Sequence, residues 1–189
     1  EYPAEWTLQT TSTIIPYIPQ LGDEICYFRQ GHQQFLDLVP NLPPLFIQSL
    51  PWDLFPDLGP VTEGTVSGLE FLVGPPTVIK MQITMLTRRR QIINIPTFKV
   101  VYYDHPEMTD FVILRQRYED SQNKFNLRQG TKVKVIFTGD ALYDANIVAS
   151  EPFSPEFPDS PWHKYTVQWE DESNDEDSKC SPWELLKRN

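Results

Sequence analysis

Short runs in which apolar and polar residues alternate are the feature that most limits what this chain can fold into. Such runs occupy residues 133–137, 143–147 and 165–169, and the turn-forming sequence Thr-Gly-Asp fills 138–140. Alternation with period two is typical of strands with one buried face, because successive side chains point to opposite sides of the sheet. Three short strands in so little sequence predict a compact barrel of the SH3-like kind.

The prolines extend this prediction to the rest of the chain. Eighteen prolines stand against eight glycines, which disfavours long helices and favours stiff, extended connections. Hydrophobic residues make up 40% of the 189 residues, and 13% of the residues are aromatic, so the chain can bury a core. We therefore expect a mostly β protein made of two small SH3-like barrels packed as one unit, with short helices.

The first part of the chain carries its own strand signals. We expect paired strands at 61–72 and 77–86, further strands at 98–103 and 110–114, and a short polar helix at 115–122. An earlier strand contains Tyr27 and Phe28, and a helix over 33–39 is predicted to bury Phe35 and Leu38 on one face. The predicted domains are 1–120, an N-terminal lobe with a proline-rich strap at 40–60, and 121–189, a C-terminal lobe.

Three aromatic residues fall at strand ends in the C-terminal lobe. Phe137 closes one strand, Tyr143 opens the next and Trp169 closes the third. The end of one strand lies near the start of the next in an antiparallel meander, so these rings are expected to meet beside Asp140, Glu170 and Asp171. Rings with carboxylates at the rim suit a methylated ammonium group, because the methyls bury against the rings and the ring quadrupoles attract the charge. The same pattern also fits rings that plug a small core.

The charge of the chain points to a basic partner. The formal net charge is −10, and six acidic residues lie between 170 and 177. This balance argues against a general nucleic-acid binder. The acidic block fits a solvated hairpin tip, and it also fits a segment that steers a Lys/Arg-rich peptide toward the aromatic residues. Arg88, Arg89 and Arg90 fit either an exposed turn or a weak contact to nucleosomal DNA.

Signals for catalysis are weak throughout the sequence. His32, His105 and His163 form no metal-spaced pair, and there is no glycine-rich phosphate loop or serine elbow. We expect no enzyme activity, no cofactor and no metal. Cys26 and Cys180 suggest no disulfide framework, and no apolar run is long enough to span a membrane, so an intracellular protein without membrane association is expected.

Three segments resemble a known family. The sequence YIPQLGDEICYFRQGH at 17–32, DFVILRQRYED at 110–120, and YTVQWED followed by SPWEL near the end are similar to the region between the WD repeats and the bromodomains of bromodomain-and-WD-repeat proteins. The resemblance extends over nearly the whole chain, from about residue 17 to residue 186. The first segment is long and unusual enough to be specific.

This resemblance implies a pair of Tudor-type barrels that bind methylated histone H3, with the fourth-residue lysine as the expected position. The family pattern matches Tyr143 and Trp169, while Leu142 stands where a second large aromatic residue is expected. The resemblance therefore implies a nuclear, chromatin-associated, monomeric methyl-lysine reader. A structural module that packs against neighbouring domains is the alternative. Tyr27 and Phe28 are candidates for a second cage, although core positions suit them better.

Overall fold

The computed structural model describes residues 5–8, 16–73, 77–86, 95–106, 108–171 and 176–188. The chain divides into two compact units, Glu1–Arg115 and Gln116–Asn189. Each unit contains one five-stranded antiparallel sheet, and the helices are few and short. The predicted mostly β class with two small barrel-like units is confirmed. The assignment of 1–120 and 121–189 as separate domains stays a prediction.

The sheet of the first unit has the strand order β4-β3-β2-β1-β5. Its strands are β1 (Glu24–Phe28), β2 (Val61–Leu72), β3 (Val78–Met85), β4 (Thr97–Tyr102) and β5 (Val112–Leu114). The strand predicted at 77–86 is confirmed as β3, in which Ile79, Met81 and Ile83 are fully buried between more exposed neighbours. One face of this hairpin therefore packs on the core.

The first unit also contains short helices. They are the 3₁₀ helices Glu5–Leu8 and Pro44–Phe46, and the helices α1 (Arg29–Leu38) and α2 (Pro51–Leu54). Helix α1 begins directly after β1, four residues before the predicted start at 33. Phe35 is buried as predicted, but Leu38 is 59% exposed, so its predicted core position is wrong. The buried residues of α1 end at Phe35, so the last turn of the helix is not covered by the core.

The proline-rich strap packs against this unit, as the sequence predicted. Phe46 is buried and lies with its ring centroid 5.8 Å from that of Phe35 and 5.7 Å from that of Tyr103. Trp52 meets His32 edge to face at 5.2 Å. These aromatic contacts join the strap, whose regular structure is limited to two short helices, to the rest of the unit.

The sheet of the second unit has the order β10-β6-β7-β8-β9. Its strands are β6 (Lys132–Ile136), β7 (Leu142–Ser150), β8 (Tyr165–Trp169), β9 (Ser178–Cys180) and β10 (Leu185–Lys187); helix α3 (Arg115–Asp120) and the 3₁₀ helices Gln122–Lys124, Thr138–Asp140 and Pro182–Glu184 complete the elements. The three predicted strands are confirmed. Strands β9 and β10 were missed, because three residues are too few to show alternation.

The core of the second unit is made by alternate residues of these strands. Val133, Val135, Ala145, Ile147, Val167 and Leu185 are buried in one cluster, and Trp169 packs against its edge. A capping box orders the turn before β10: the Ser181 side chain binds the turn backbone, and Glu184 accepts the Ser181 N–H at 2.6 Å. This turn returns the chain to pair with β6 and so completes the sheet.

Each unit contains one cysteine. Cys26 in the first unit and Cys180 in the second are both buried, and neither forms a disulfide. Within the described residues, no helix has both the length and the hydropathy needed to span a membrane.

Candidate functional site

Strand register brings three aromatic rings together in the second unit. Tyr143 lies opposite Val135 on β6, Trp169 lies opposite Ala145 on β7, and Phe137 directly follows β6. The ring centroids of Phe137 and Tyr143 are 5.4 Å apart, those of Phe137 and Trp169 are 5.4 Å apart, and those of Tyr143 and Trp169 are 6.3 Å apart. The structure therefore brings together the three rings that the sequence singled out. We call these three residues the aromatic cluster.

The rings of the aromatic cluster differ in their exposure. Phe137 is 45% exposed and Tyr143 is 52% exposed, which is unusual for large rings whose main role is to fill a core. Trp169 is half-buried, packs against the core, and donates its indole N–H to the Ser178 hydroxyl at 3.2 Å. Trp169 is thus fixed in place, while the other two rings present faces and edges to solvent.

A cavity of about 540 Å³ opens at the aromatic cluster. Its lining residues are Phe137, Leu142, Tyr143, Asp144, Trp169, Glu170 and Asp171. The lining thus combines aromatic surfaces with three carboxylates. We call this space the unit-2 cavity.

The turn between β6 and β7 shapes one side of this opening. Phe137 donates its N–H to the Ala141 carbonyl at 2.8 Å, and Gly139 adopts a left-handed φ of 73°. Asp140 also has a left-handed φ, of 60°, which Asp tolerates better than most residues. The turn holds Phe137 and Tyr143 close together at adjoining strand ends.

The structure separates the two acidic residues predicted for the site. Asp171 lines the unit-2 cavity, whereas Asp140 is exposed in the turn and does not belong to the lining. Glu170, which was also expected beside the rings, lines the cavity, and so does Asp144, which was not predicted. The expectation that Asp140 complements a bound ammonium therefore has no support in the cavity geometry.

Two of the cavity carboxylates form ion pairs with cations of the same unit. Lys134 donates to Asp144 at 2.8 Å, and Arg188 lies 3.5 Å from Asp144 and 2.9 Å from Glu170. Lys132 lies 3.7 Å from Glu170. These cations offset much of the negative charge at that part of the rim. They also hold Asp144 and Glu170 in fixed positions beside the rings.

The ion pairs change the acidity of Asp144. The hydrogen bond from Lys134 lowers the pKa of Asp144 below its ordinary value, and the charges of Arg188, Lys134 and Lys132 act in the same direction. Asp144 is therefore ionised throughout the neutral and mildly acidic range. A cationic ligand meets this carboxylate in its charged form.

The other candidate binding residues singled out from the sequence are buried or lie outside the described part of the chain. Tyr27 and Phe28 are fully buried, which confirms their core role and excludes an open second cage at these residues. The Tyr27 hydroxyl lies 2.9 Å from Nδ1 of His32 inside the first unit. Arg88, Arg89 and Arg90 lie outside the described residues. Among the described residues, no group of three His, Cys, Asp or Glu side chains is arranged to hold a metal ion.

Sequence reasoning gave too little weight to Leu142 and missed Asp144. Leu142 lines the cavity in place of the larger aromatic residue that the resemblance led us to expect. Strict alternation places Tyr143 and Asp144 on opposite faces, so Asp144 was not a candidate. Both nevertheless line the cavity, at the start of β7. The opposite charges of Lys134 and Asp144 on paired strands were the available signal.

Comparison with known proteins places the chain in a family. A family model described as the BRWD/PHIP ancillary domain-like domain matches residues 15–189. The chain belongs to this family. The match includes all ten described strands of the two sheets and the whole of the unit-2 cavity. The resemblance to bromodomain-and-WD-repeat proteins is thereby confirmed.

Individual relatives are distant and much longer. Auxin response factors 11 and 18 of Arabidopsis thaliana are each 28% identical to this chain over 111 residues, which is 56% of this chain and 17% and 18% of their own lengths. A bromodomain and WD repeat-containing protein of Dictyostelium discoideum is 22% identical over 129 residues, or 65% of this chain and 6% of that protein. The chain thus spans less than a fifth of the length of these relatives.

Proposed function

We propose that the second unit binds methylated lysine on the tail of histone H3, with the fourth-residue lysine as the preferred position. The observation that carries this proposal is the aromatic cluster at the unit-2 cavity, whose three ring centroids lie within 5.4 to 6.3 Å of one another. The choice of histone H3 and of this lysine is supported by the family resemblance. The function is that of a nuclear, chromatin-associated reader without catalysis.

The chemistry of the cavity suits a methylated ammonium better than an unmodified one. An unmodified lysine would have to give up strongly held water to enter a site walled by Phe137, Tyr143 and Trp169. Methyl groups weaken that hydration and bury apolar surface against the rings, while the positive charge is kept and attracted by the ring faces. The volume of about 540 Å³ leaves room for a lysine side chain and part of its backbone.

The carboxylates supply the remaining recognition. Asp171 lines the cavity beside Trp169, and it accepts a hydrogen bond from an ammonium that retains a proton. Asp144 and Glu170, already paired with Lys134 and Arg188, act as a fixed polar rim. The net charge of −10 further favours association with a basic histone tail. A weak contact between nucleosomal DNA and Arg88, Arg89 and Arg90 belongs to the same proposal.

A protein-interaction module is the second candidate function. Phe71 at the end of β2 is 50% exposed, and Val73 after it is 55% exposed. Exposed apolar residues this close together favour contact with a neighbouring domain or partner. This function uses the first unit and leaves the aromatic cluster unexplained.

A calorimetric titration separates the two candidates. The chain is titrated with histone H3 tail peptides that are unmodified or mono-, di- or trimethylated on the fourth-residue lysine. A reader binds the methylated peptides at least about tenfold more tightly than the unmodified one. Equal binding of all four peptides, or no binding, would exclude the reader and favour the interaction module.

A further inference from the structure

A second cavity, of about 280 Å³, lies in the first unit between the proline-rich strap and the β3–β4 hairpin. The strap contributes Phe46, Leu50 and Leu54, and the hairpin contributes Lys80, Lys99 and Val101. The lining therefore includes apolar side chains from the strap and two cations from the hairpin. We call this space the unit-1 cavity.

The two lysines share one face of the hairpin. Lys80 pairs with Val101 and Lys99 pairs with Gln82 in the β3–β4 register, so both side chains project from the same side of the sheet. Strand β4 is at the edge of the sheet. Two positive charges thus converge on one border of the cavity.

Among the residues that the structure describes, acidic side chains do not line this cavity. In a protein with a net charge of −10, none of the described residues that line the unit-1 cavity is Asp or Glu. The polar lining residues other than the two lysines are His32, Gln48, Ser49 and Thr97, each of which carries a hydrogen-bond donor. The composition is the opposite of that of the unit-2 cavity, where carboxylates line the rim.

His32 adds a buried ring nitrogen that has no hydrogen-bond partner among the described residues. Its ring is fully buried, Nδ1 is paired with the Tyr27 hydroxyl at 2.9 Å, and Nε2 has no hydrogen-bond partner among the described residues. Burial lowers the pKa of His32 to about 3, so the ring is neutral at physiological pH. When the Tyr27 hydroxyl donates to Nδ1, the proton of the neutral ring is on Nε2. A buried N–H without a partner is costly and marks a place where a ligand would be stabilised.

We propose that the unit-1 cavity binds an anionic group carried on an apolar body, with Lys80 and Lys99 contacting the anion and the Phe46 and Leu54 side chains contacting the apolar body. His32 Nε2 supplies a further hydrogen-bond donor on the inner wall. A phosphoryl group or a carboxylate on an aromatic ring meets this description. The proposal concerns the first unit and is independent of methyl-lysine binding by the second.

An NMR titration of the whole chain tests this site. The probes are phenyl phosphate and benzoate. The controls are inorganic phosphate, which is an anion without an apolar group, and benzyl alcohol, which has an aromatic ring but no charge. We expect saturable shifts of the His32 ring nitrogens and of Lys99 with phenyl phosphate or benzoate, and binding at least about fivefold weaker for the other two compounds. If phenyl phosphate binds more tightly than benzoate, the site prefers a phosphoryl group, and if benzoate binds more tightly, it prefers a carboxylate.

Matched variants separate a site from general charge attraction. Lys80→Gln and Lys99→Gln are each expected to weaken binding about fivefold, whereas Lys187→Gln, which removes the same charge from β10 of the second unit, leaves it unchanged. Equal weakening by all three variants would overturn the proposal. So would a titration in which the His32 ring signals do not move, or in which inorganic phosphate binds as tightly as phenyl phosphate.

Discussion

Aromatic side chains fill the interior of both units, but in the second unit three further rings stand at an open end of the sheet. Tyr27 and Phe28 end β1 and are fully buried, while Phe137 and Tyr143 at the β6–β7 turn are about half exposed. The two sheets have the same number of described strands and the same antiparallel pairing. The difference between a core aromatic and a candidate binding aromatic therefore arises outside the sheets.

The segment directly after each strand accounts for this difference. Helix α1 begins at Arg29, directly after β1, and its residue His32 contacts the Tyr27 ring, so this strand-end ring is covered. Strand β6 leads instead into the short Thr138–Asp140 turn, and the rings beside that turn stay open. A strand-end ring becomes available to a ligand only where no later segment packs over it.

The largest expected effect is on stability, and it separates the two units. Tyr27→Ala leaves a cavity in a close-packed core and is expected to cost about 3–5 kcal/mol, whereas Tyr143→Ala removes an exposed ring and is expected to cost about 0.5 kcal/mol or less. Urea unfolding followed by NMR signals from each unit measures both. Similar costs for the two variants would contradict the assignment of Tyr143 to an open site.

The next largest effect is the pH dependence of stability, which is expected in both units. Burial lowers the pKa of His32 to about 3 and that of His163 to about 4, so each ring stays neutral in the folded state. Since the unfolded rings take up protons below about pH 6.5, each unit is expected to lose roughly 2 kcal/mol of stability as the pH falls from about 7 to about 4.5. This stability is fully present above about pH 6.5.

Ring NMR signals check the histidine prediction directly. Those of His32 and His163 should keep the chemical shifts of the neutral form at about pH 5, where a solvent-exposed histidine is already protonated. Titration of either ring near pH 6.5 would show that its burial is wrong.

A smaller effect is expected from trimming the aromatic cluster. Phe137→Ala removes one wall of the unit-2 cavity and should weaken binding of a methylated histone H3 peptide about tenfold, or roughly 1.4 kcal/mol. Phe71→Ala is the matched control, because Phe71 is 50% exposed on β2 of the first unit. To test the third ring in the same way, Trp169→Phe is preferable to Trp169→Ala, because Trp169 also packs on the core. Equal weakening by Phe71→Ala would contradict a cage in the second unit.

The smallest expected effect is electrostatic. Lys134→Gln removes the main cause of the lowered pKa of Asp144, so this pKa should rise toward its ordinary value. Carboxyl carbon shifts during an acid titration report the change. In the unaltered chain Asp144 stays charged to lower pH, so peptide binding should persist further into the acidic range than in the variant. An unchanged pKa would show that Lys134 does not engage Asp144 in solution.

The strands that alternate clearly could be predicted from the sequence, and the shortest elements could not. Alternation located β3 and β6 to β8, and the positions of Phe137, Tyr143 and Trp169 at strand ends predicted that their rings meet. Strands β9 and β10 have three residues each, and they are recognised as strands by their pairing with β8 and β6. Leu38 was misplaced because helical spacing identifies a face and not how far the neighbouring core extends.

Predicting the rim of the cavity required contacts that local patterns do not contain. Asp144 reaches its position through pairing with Lys134 across the sheet and with Arg188 from the end of the chain. Asp140 is close to Tyr143 in the sequence, yet the left-handed turn leaves it outside the cavity lining. Long-range pairing and turn geometry decide such positions, and neither can be deduced from composition.

The most direct test of the central claim compares a charged and an uncharged ligand of the same shape. A histone H3 peptide with trimethyllysine at the fourth residue is titrated against one in which the trimethylammonium is replaced by an isosteric tert-butyl group. If the aromatic cluster binds the methylated cation, the charged peptide binds at least about tenfold more tightly, with NMR shifts centred on Tyr143 and Trp169. Equal affinity for the two peptides, or shifts elsewhere, would contradict it.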